Sequence, residues 1–514
     1  MPNATAQLVF YLWPIVVFFL FRRLPVTHAL ICSIIAGYLL LPSRVGIDLP
    51  MVPTINKYSM PSVMAAIMCV VAVRTQVREA LRKGMPAAPL IRAPQHKSLG
   101  VLIINILLFL MFVSPLLTML TNREPIFAGP FLIRGLTFYD GLSMMGIQLF
   151  TIIPFLLARR FIASPKSHIV FLKILCVAGL CYSVLALFEV RMSPQLNVKI
   201  YGFFPHDFLQ HMRAGGFRPV VFLHHGLWVG IFFAMAILAA AALTRCKDRI
   251  SKRGLWRIAT FWLLGVLFLC KSVGAFVIAL ALLPAALFLR ARGQLVVASA
   301  LAVIVLFYPM LRGAGWVPTE EIYNTALKFS EERAASLNFR LRHEDMLLDR
   351  ANQKSLAGWG SWGRNLVYDP VSGESLSVTD GAWVIAIGAG GWLGYIVNFG
   401  LLTLPIIFLV FQHRKRRFGF ETSGLALVMA ANLVELIPNA TLVPLTWMIS
   451  GALMGRYAYQ RQENPESTDL TFELGVQSLQ PTTLRTRTRR GLLLDAPRKS
   501  AQTDTMTARK PRTN

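Results

Sequence analysis

The chain has 514 residues, of which 55% are hydrophobic and only 15% are charged. So little polar surface excludes a soluble globule of this size and is typical of a protein that crosses a membrane repeatedly. The net charge of +27 would suit a nucleic-acid-binding protein, but Lys and Arg occur in short segments between apolar runs and in a C-terminal tail, so we expect no nucleic-acid partner.

Apolar runs recur along the chain, and each is long enough to cross a hydrocarbon core as a helix that satisfies its own backbone hydrogen bonds. They predict an all-α polytopic bundle of about 12 to 13 transmembrane helices with a large, partly helical periplasmic loop. The candidate spans are Leu8–Phe21, Val26–Leu41, Pro61–Val73, Leu99–Leu120, Leu136–Leu157, Ile169–Phe188, Val220–Leu243, Leu255–Leu269, Val273–Leu289, Leu295–Leu311, Ala382–Phe411, Ser423–Leu436 and Leu442–Tyr457.

The basic loops indicate which way the bundle is oriented. When the spans alternate, the segments richest in Lys and Arg fall on one side together with the C-terminus, and the positive-inside rule assigns that side to the cytoplasm. The opposite side carries the long loops Arg191–Pro219 and Arg312–Thr379. The most basic segments are Arg74–Lys97, Arg159-Arg160, Arg245–Arg257, Arg290 with Arg292, and His413–Arg417.

Composition divides the chain into a membrane domain, residues 1–459, and a tail, residues 460–514. The tail is rich in Thr, Arg, Gln and Pro, which cannot bury enough apolar surface to fold alone, so we expect a disordered basic cytoplasmic extension attracted to anionic lipid. Within the loop 312–379, the segment Thr319–Ser355 has near-helical spacing of apolar residues and predicts helices on the outer face, ended by Gly358.

Asp380 stands at the start of a transmembrane span. A carboxylate there is costly unless it is hydrated or paired, which makes it a functional candidate. Asp380 or Thr379 could instead be the N-cap of the helix that begins near Gly381, and the two interpretations are compatible.

Arginines occur in two loops on this same side. Arg340 and Arg342 lie on the predicted outer helix, where Glu344 follows Arg340 by four residues and could form a surface ion pair with it. Arg213 and Arg218 lie in the other loop. Because planar guanidiniums bind phosphate bidentately, arginines that converge at a membrane boundary suit a lipid-linked diphosphate.

Histidines and tryptophans near these arginines have both functional and structural interpretations. His224 and His225 could carry protons or could be interfacial hydrogen-bonding groups. Trp359 and Trp383 could stack on sugar rings or could anchor the chain at the membrane interface.

The stretch from Arg213 to Leu402 resembles the superfamily of O-antigen ligases and polysaccharide polymerases of bacterial inner membranes, which includes exopolysaccharide polymerases. Members tend to have an arginine ahead of a Gly/Phe and His/Asn/Pro segment at the start of a span, here Arg218 to His225. They then have a helix start that contains serine, here the residues that follow Lys271.

The resemblance continues with an arginine ahead of a Gly-x-Gly turn, here Arg340 ahead of Gly358-Trp359-Gly360. A polar pair then opens a helix that leads to a glycine-rich segment, here Asp380-Gly381. Ligases usually carry His-Asn in place of this pair, and the basic residue that commonly follows the serine is Val273 here, so Lys271 is a candidate substitute for it.

The resemblance implies an integral-membrane glycosyltransferase of O-antigen or exopolysaccharide biosynthesis that works at the periplasmic face without cofactor, nucleotide sugar or metal. An acceptor hydroxyl would attack the anomeric carbon of an undecaprenyl-diphosphate-linked glycan with inversion. Asp380 would orient or deprotonate that hydroxyl, and Arg218 and Arg340 would stabilise charge on the departing diphosphate, with Arg342 and Arg213 in reserve. The implied partners are this donor, a glycan, lipid or other acceptor, membrane lipids and other polysaccharide assembly proteins.

A transporter or flippase for a lipid-linked glycan or another anion is the alternative. It would need charges buried in the spans and paired repeats or broken helices. The sequence contains no convincing internal repeat, but a two-sided path lined by Lys271 and Glu435 would favour transport.

Overall fold

The computed structural model describes residues 1–50, 52–82, 84, 98–213, 215–246, 253–328 and 331–459, except for the side chains of residues 213, 332 and 333. The predicted tail, residues 460–514, lies outside this part of the chain. The described residues form an all-α polytopic bundle, as the sequence predicted, with three short β-hairpins at its loops.

Sixteen α-helices are described, and short ones are interspersed among long apolar ones. They are α1 Ala4–Arg23, α2 Val26–Leu40, α3 Met60–Arg82, α4 Leu99–Leu120, α5 Phe138–Phe161, α6 Pro165–Met192, α7 Leu196–Tyr201, α8 Gly226–Leu243, α9 Arg253–Leu269, α10 Val273–Phe288, α11 Ala291–Gly313, α12 Thr319–Leu327, α13 Glu331–Asn352, α14 Ala382–His413, α15 Phe420–Glu435 and α16 Pro444–Ala458.

The strands form three antiparallel pairs, each made of neighbours in the sequence. In the pair nearest the candidate site, Met212 lies opposite Phe217 and Arg213 lies opposite Gly216. The strands are β1 Gly46–Leu49, β2 Val52–Asn56, β3 Ile126–Ala128, β4 Phe131–Ile133, β5 Met212–Arg213 and β6 Gly216–Phe217.

A helix is present at every span that the sequence predicted. Among the described residues, eight helices are long and apolar enough to cross a membrane, namely α1, α3, α4, α5, α6, α8, α11 and α14. The helices α2 and α10 are apolar but shorter. The chain is therefore a multi-pass membrane protein.

Helix α8 is the centre of the bundle. Its residues are buried on all sides because α6, α9, α10 and α15 surround it, which agrees with its uniformly apolar sequence. Small residues bring other helices together. A Cβ atom on Gly451 would lie 2.2 Å from the carbonyl oxygen of Phe155, and one on Gly455 would lie 2.4 Å from that of Arg159, so these glycines allow α16 to touch the backbone of α5.

The long loops 193–225 and 314–381 lie at one end of the bundle, which we call the loop face. Hydrogen bonds join both loops to other helix ends there, from Arg218 to Ser272 and from Arg340 to Asn439. As predicted, the second loop is partly helical, since it contains α12 and α13; α13 ends at Asn352, and the backbone N–H of Gly358 closes a turn onto Lys354.

Helix α14 is broken at Gly391, where φ is +66°. The segment 355–360 lies against the break and forms backbone hydrogen bonds with it: Trp359 N–H donates to the carbonyl of Gly388, and Trp392 N–H donates to that of Ser355. A Cβ atom on Gly391 would lie 2.3 Å from the carbonyl oxygen of Leu356, so only glycine fits here. The break therefore leaves these backbone groups paired.

Candidate functional site

Arg340 and Asp380 meet at the loop face although 40 residues separate them. Nε of Arg340 lies 3.4 Å from a carboxylate oxygen of Asp380, and both side chains are about one-third exposed. Nη1 of Arg340 also donates to the carbonyl of Pro438 and to Oδ1 of Asn439, each at 3.2 Å. The guanidinium is thus held by three groups, and it remains accessible from solvent.

Asp380 does not cap α14. The N-cap residue is Gly381, which has no side chain, and the N–H of Ala382 donates instead to the carbonyls of Leu436 and Asn439. The loop between α15 and α16 therefore closes the helix end, which frees the Asp380 carboxylate to face Arg340. The interpretation of Asp380 as a helix cap is wrong for this structure.

Arg218 approaches the loop face from the other long loop. Its backbone N–H donates to the carbonyl of His211 at 2.8 Å, just after β6, which fixes where the side chain leaves the hairpin. The side chain is buried, and its Nε donates to Oγ of Ser272 at 3.2 Å. Its Cγ and Cδ pack against Gly226, where a Cβ atom would come within 2.7 Å. The glycine that starts α8 is therefore required for Arg218 to reach this position.

A buried carboxylate anchors the chain directly after Arg218. Glu189, at the end of α6, accepts hydrogen bonds from the backbone N–H groups of Val220 and Val221 at 2.8 and 2.7 Å, and a third from Leu196. Val221 has φ of +53°, a conformation that costs a β-branched residue about 1–3 kcal/mol. Glu189 thus holds a strained backbone next to Arg218 instead of lining a path through the bundle.

Lys271 and Ser272 form the turn between α9 and α10 beside Arg218. Lys271 also has a positive φ, +55°, and its ammonium lies against Gly216 of β6, because a Cβ atom there would be 2.5 Å from Nζ. Two of the four non-glycine residues with positive φ in the described chain, Val221 and Lys271, thus lie within a few residues of Arg218 or of its partner Ser272. Such strain is concentrated at functional sites.

Glu435 connects the two arginines. It is the last residue of α15, its side chain is buried, and its Oε1 accepts a hydrogen bond from Nδ2 of Asn439 at 2.8 Å. Asn439 links this carboxylate to Arg340, and a Cβ atom on Gly274, two residues after the Arg218 partner Ser272, would lie 4.0 Å from its Oε2. We call Arg218, Arg340, Asp380, Glu435 and Asn439 the arginine cluster; it contains two guanidiniums, two carboxylates and the amide that links them.

Four histidines lie beside Arg218. The ring centroids of His211 and His225 are 4.6 Å apart, and that of His206 is 5.0 Å from His225 and 5.5 Å from His224. His225 is the N-cap of α8, since its Nδ1 accepts from the N–H of Leu227. It therefore supports the start of α8 through a ring nitrogen.

His211 is fully buried and serves the same loop. Its Nδ1 donates to the carbonyl of Asp207 at 2.8 Å, and its Nε2 accepts from the N–H of Gly226 at 3.3 Å, so only the neutral ring satisfies both partners. Burial is the largest cause that lowers the pKa of His211 to about 4, and the charges of Arg218 and His206 act in the same direction. Burial likewise lowers the pKa of His224 and His225.

The indole rings of both tryptophans are covered by other side chains. The Trp359 ring lies under Arg350, whose Cζ is 3.4 Å from the ring centroid, with the Lys354 ammonium 4.7 Å away. Trp383 is 1% exposed and packs edge-on against Tyr308. Neither indole is arranged as an open platform for a sugar ring.

The two reserve arginines add no observed contact to the arginine cluster. Arg342 is exposed on α13, and no hydrogen bond or ion pair joins it to another described residue. The side chain of Arg213 lies outside the described part of the structure, although its backbone pairs with Gly216. Glu344 faces Arg312, 3.9 Å away, so the surface ion pair expected with Arg340 is replaced by the pair between Arg340 and Asp380.

A cavity of about 300 Å³ lies where the loop after Asn439 leads into α16, and its wall includes Leu442, three residues after Asn439. Neutral groups line it, including Asn56, Ser59 and the aromatic ring of Tyr58. No group of three or more His, Cys, Asp or Glu in the described ranges is arranged to hold a metal ion.

The contacts that Asn439, His211 and Ser272 make in the site were not predicted from the sequence. Asn439 follows the last residue of a predicted span, Leu436, by three positions, and nothing in its neighbourhood distinguishes it from an ordinary loop residue. Its position becomes informative only when Arg340, almost one hundred residues earlier, is known to contact it.

The fold and the arginine cluster define the chain as a multi-pass membrane protein with a charged site at one end of the bundle. Neither a protein-family model nor a curated protein matches the chain.

Proposed function

We propose that the chain is an integral-membrane glycosyltransferase that polymerises or ligates undecaprenyl-diphosphate-linked glycan repeats at the periplasmic face of a bacterial inner membrane. One observation carries the proposal: two arginines from separate loops are tied to neighbouring helix ends of the loop face. Arg340 contacts Asp380 and, through Asn439, is linked to the buried Glu435. Arg218 donates to Ser272, two residues before Gly274, where a Cβ atom would lie 4.0 Å from Oε2 of Glu435. Two guanidiniums at the boundary of a membrane suit a lipid-linked diphosphate, which carries its charge at that depth.

The existing contacts supply a physical account of donor binding. In the free protein, Arg340 is held by Asp380, Asn439 and the carbonyl of Pro438, and Arg218 donates to Ser272. A donor diphosphate offers Arg340 a stronger bidentate partner than the partly exposed Asp380 carboxylate at 3.4 Å. Binding of the donor would therefore release Asp380 from its ion pair and leave it as a proton acceptor beside the diphosphate.

The reaction then follows from the charges. A hydroxyl of the acceptor attacks the anomeric carbon from the side opposite the diphosphate, and its proton passes to Asp380. The bond between that carbon and the diphosphate oxygen breaks, and Arg218 and Arg340 stabilise the negative charge that grows on the departing oxygen. Inversion at the anomeric carbon results from this single displacement.

The cavity beside Asn439 supports the acceptor side of the proposal. Sugars present many hydroxyl groups, and the neutral amide, hydroxyl and aromatic groups of Asn56, Ser59 and Tyr58 suit them without introducing charge. Leu442, three residues after Asn439, is in its wall, so the loop that holds Arg340 would also hold part of a bound acceptor.

The broken helix α14 favours a second function, transport of a lipid-linked glycan or another anion, because transporters use discontinuous helices to bind substrates. In this chain the segment 355–360 forms backbone hydrogen bonds with the break, so the carbonyl of Gly388 and the N–H of Trp392 have partners within the protein. Glu435 ends its helix at the loop face, and Lys271 lies in a turn at the same face. These positions favour the enzyme over a two-sided path.

Three substitutions test the enzyme. Arg218→Ala, Arg340→Ala and Asp380→Ala should each abolish long-chain glycan, measured on a gel, in cells whose membranes contain normal amounts of the protein. Arg342→Ala is the matched control, since this arginine is on the same helix as Arg340 without its contacts, and it should leave chain length unchanged. Unchanged polymer length in all three variants would rule out the proposal. Single repeats that still reach their final acceptor would indicate a polymerase, and loss of all attachment would indicate a ligase.

A further inference from the structure

The end of the bundle opposite the loop face contains a second charged cavity, separate from the arginine cluster. Its volume is about 510 Å³, and it lies where the end of α8 and the start of α9 meet the end of α10 and the start of α15. Three arginines line it: Arg245, Arg253 and Arg257. No carboxylate is among the described residues of its wall.

Two of the arginines are on α9, and the third follows the end of α8. Arg253 and Arg257 are one turn apart on α9, both are exposed, and neither forms a hydrogen bond or ion pair with any residue that the structure describes. Arg245 donates to the carbonyl of Leu287, and its Cζ lies 4.4 Å from the ring centroid of Phe420, so its direction is fixed. Unpaired cations beside a fixed one form a binding site for an anion.

Apolar side chains continue the same wall. Phe261 follows Arg257 by one turn on α9 and is 65% exposed, and Phe288 at the end of α10 is 78% exposed. Arg253 and Phe261 are separated by about 12 Å along the helix axis, from a rise of about 1.5 Å per residue. A ligand that contacts both the arginines and the phenyl rings has an anionic group at one end and hydrocarbon about 10 Å away, as in a phospholipid.

We propose that this cavity binds the headgroup of an anionic membrane phospholipid. The phosphate contacts Arg253 and Arg257, while the first part of the acyl chains lies against Phe261 and Phe288. Basic pockets between transmembrane helices on one side of a membrane bind such headgroups, and arginine prefers phosphate because its fork matches two oxygens. A soluble phosphate would leave the exposed phenyl rings without a partner.

Native mass spectrometry of the purified full-length protein, with equal amounts of phosphatidylglycerol and phosphatidylcholine, tests the proposal. The parent protein should retain phosphatidylglycerol selectively. The double variant Arg253→Gln/Arg257→Gln should bind it about thirtyfold more weakly, because it loses two attractive interactions between an arginine and the lipid phosphate. The matched control is Arg414→Gln/Arg417→Gln, which removes two exposed charges from the same end of the bundle outside the cavity and should change nothing.

Three outcomes would overturn the assignment. The first is equal retention of both lipids by the parent protein, and the second is equal loss of phosphatidylglycerol in both double variants, which would indicate only a general attraction to positive charge. The third is displacement of the lipid by inorganic phosphate, which would indicate a site for a soluble anion. Because all four substituted arginines are exposed, gel filtration should confirm that each variant remains folded.

Discussion

Asn439 provides the sharpest test of the arginine cluster because it touches two of its members. Its Oδ1 accepts from Arg340 at 3.2 Å, and its Nδ2 donates to Glu435 at 2.8 Å. Asn439→Ala removes both hydrogen bonds. It leaves Arg340 with Pro438 and Asp380 as partners and deprives the buried Glu435 carboxylate of this donor.

The expected loss of activity follows from the contact to Arg340. A hydrogen bond to a charged group contributes about 1.5–3 kcal/mol. If that energy orients the guanidinium toward the leaving diphosphate, its loss lowers kcat/KM by about 10- to 150-fold. Asn439→Asp separates the two contacts, since an aspartate carboxylate still accepts from Arg340 but cannot donate to Glu435.

The assay is the initial rate of chain elongation by purified protein in liposomes that contain a polyprenyl-diphosphate-linked oligosaccharide. Arg342→Ala is the control, because this side chain is exposed and has no partner among the described residues. A rate for Asn439→Ala close to that of the parent, or an equal loss in Arg342→Ala, would refute the idea that the linked contacts position Arg340.

Three further predictions concern geometry, pH and backbone. Arg340→Lys should be as inactive in the elongation assay as Arg340→Ala, because an ammonium lacks the guanidinium fork, and full activity would contradict a bidentate role. The pKa of His211 is lowered to about 4, so between about pH 6.5 and 4 the unfolded loop binds a proton that the folded loop does not. Hydrogen-exchange protection of residues 215–225 should therefore fall as the pH is lowered through this range, by about 1 kcal/mol near pH 5 after screening. The variant His211→Gln should not show this loss. Gly391→Ala should lower the thermal unfolding temperature in detergent, because its φ is +66° and a Cβ would meet Leu356, whereas Gly390→Ala, whose nearest atom would be 3.9 Å away, should not; equal temperatures would contradict this.

The bundle could be predicted from the sequence because each span is a local pattern. An apolar run has to form a helix in lipid, so the run from Val220 to Leu243 already specified α8, and only its first residues proved to be loop. The predicted helices between residues 319 and 355 were also found, because their spacing is local.

The site was only partly predictable because its contacts depend on distant side chains. The pattern around Arg218, Arg340 and Asp380 was sufficient to bring these residues together in one hypothesis. It did not reveal that Asn439 links them, or that Trp383, expected at the surface, would be 1% exposed. An indole at the start of a span is compatible both with the membrane interface and with the protein core. Packing against neighbouring helices determines which of the two it occupies.

The pairing of the segment 355–360 with the break in α14 has a consequence for biogenesis. A helix interrupted at Gly391 presents backbone carbonyls that hydrocarbon cannot satisfy, and the strip that satisfies them precedes it in the chain. Integration of α14 in the bilayer therefore depends on residues that lie outside its own span. Replacing residues 355–360 by an unrelated linker of equal length would disturb membrane integration of α14 and of the two helices that follow it, even though none of them would be altered.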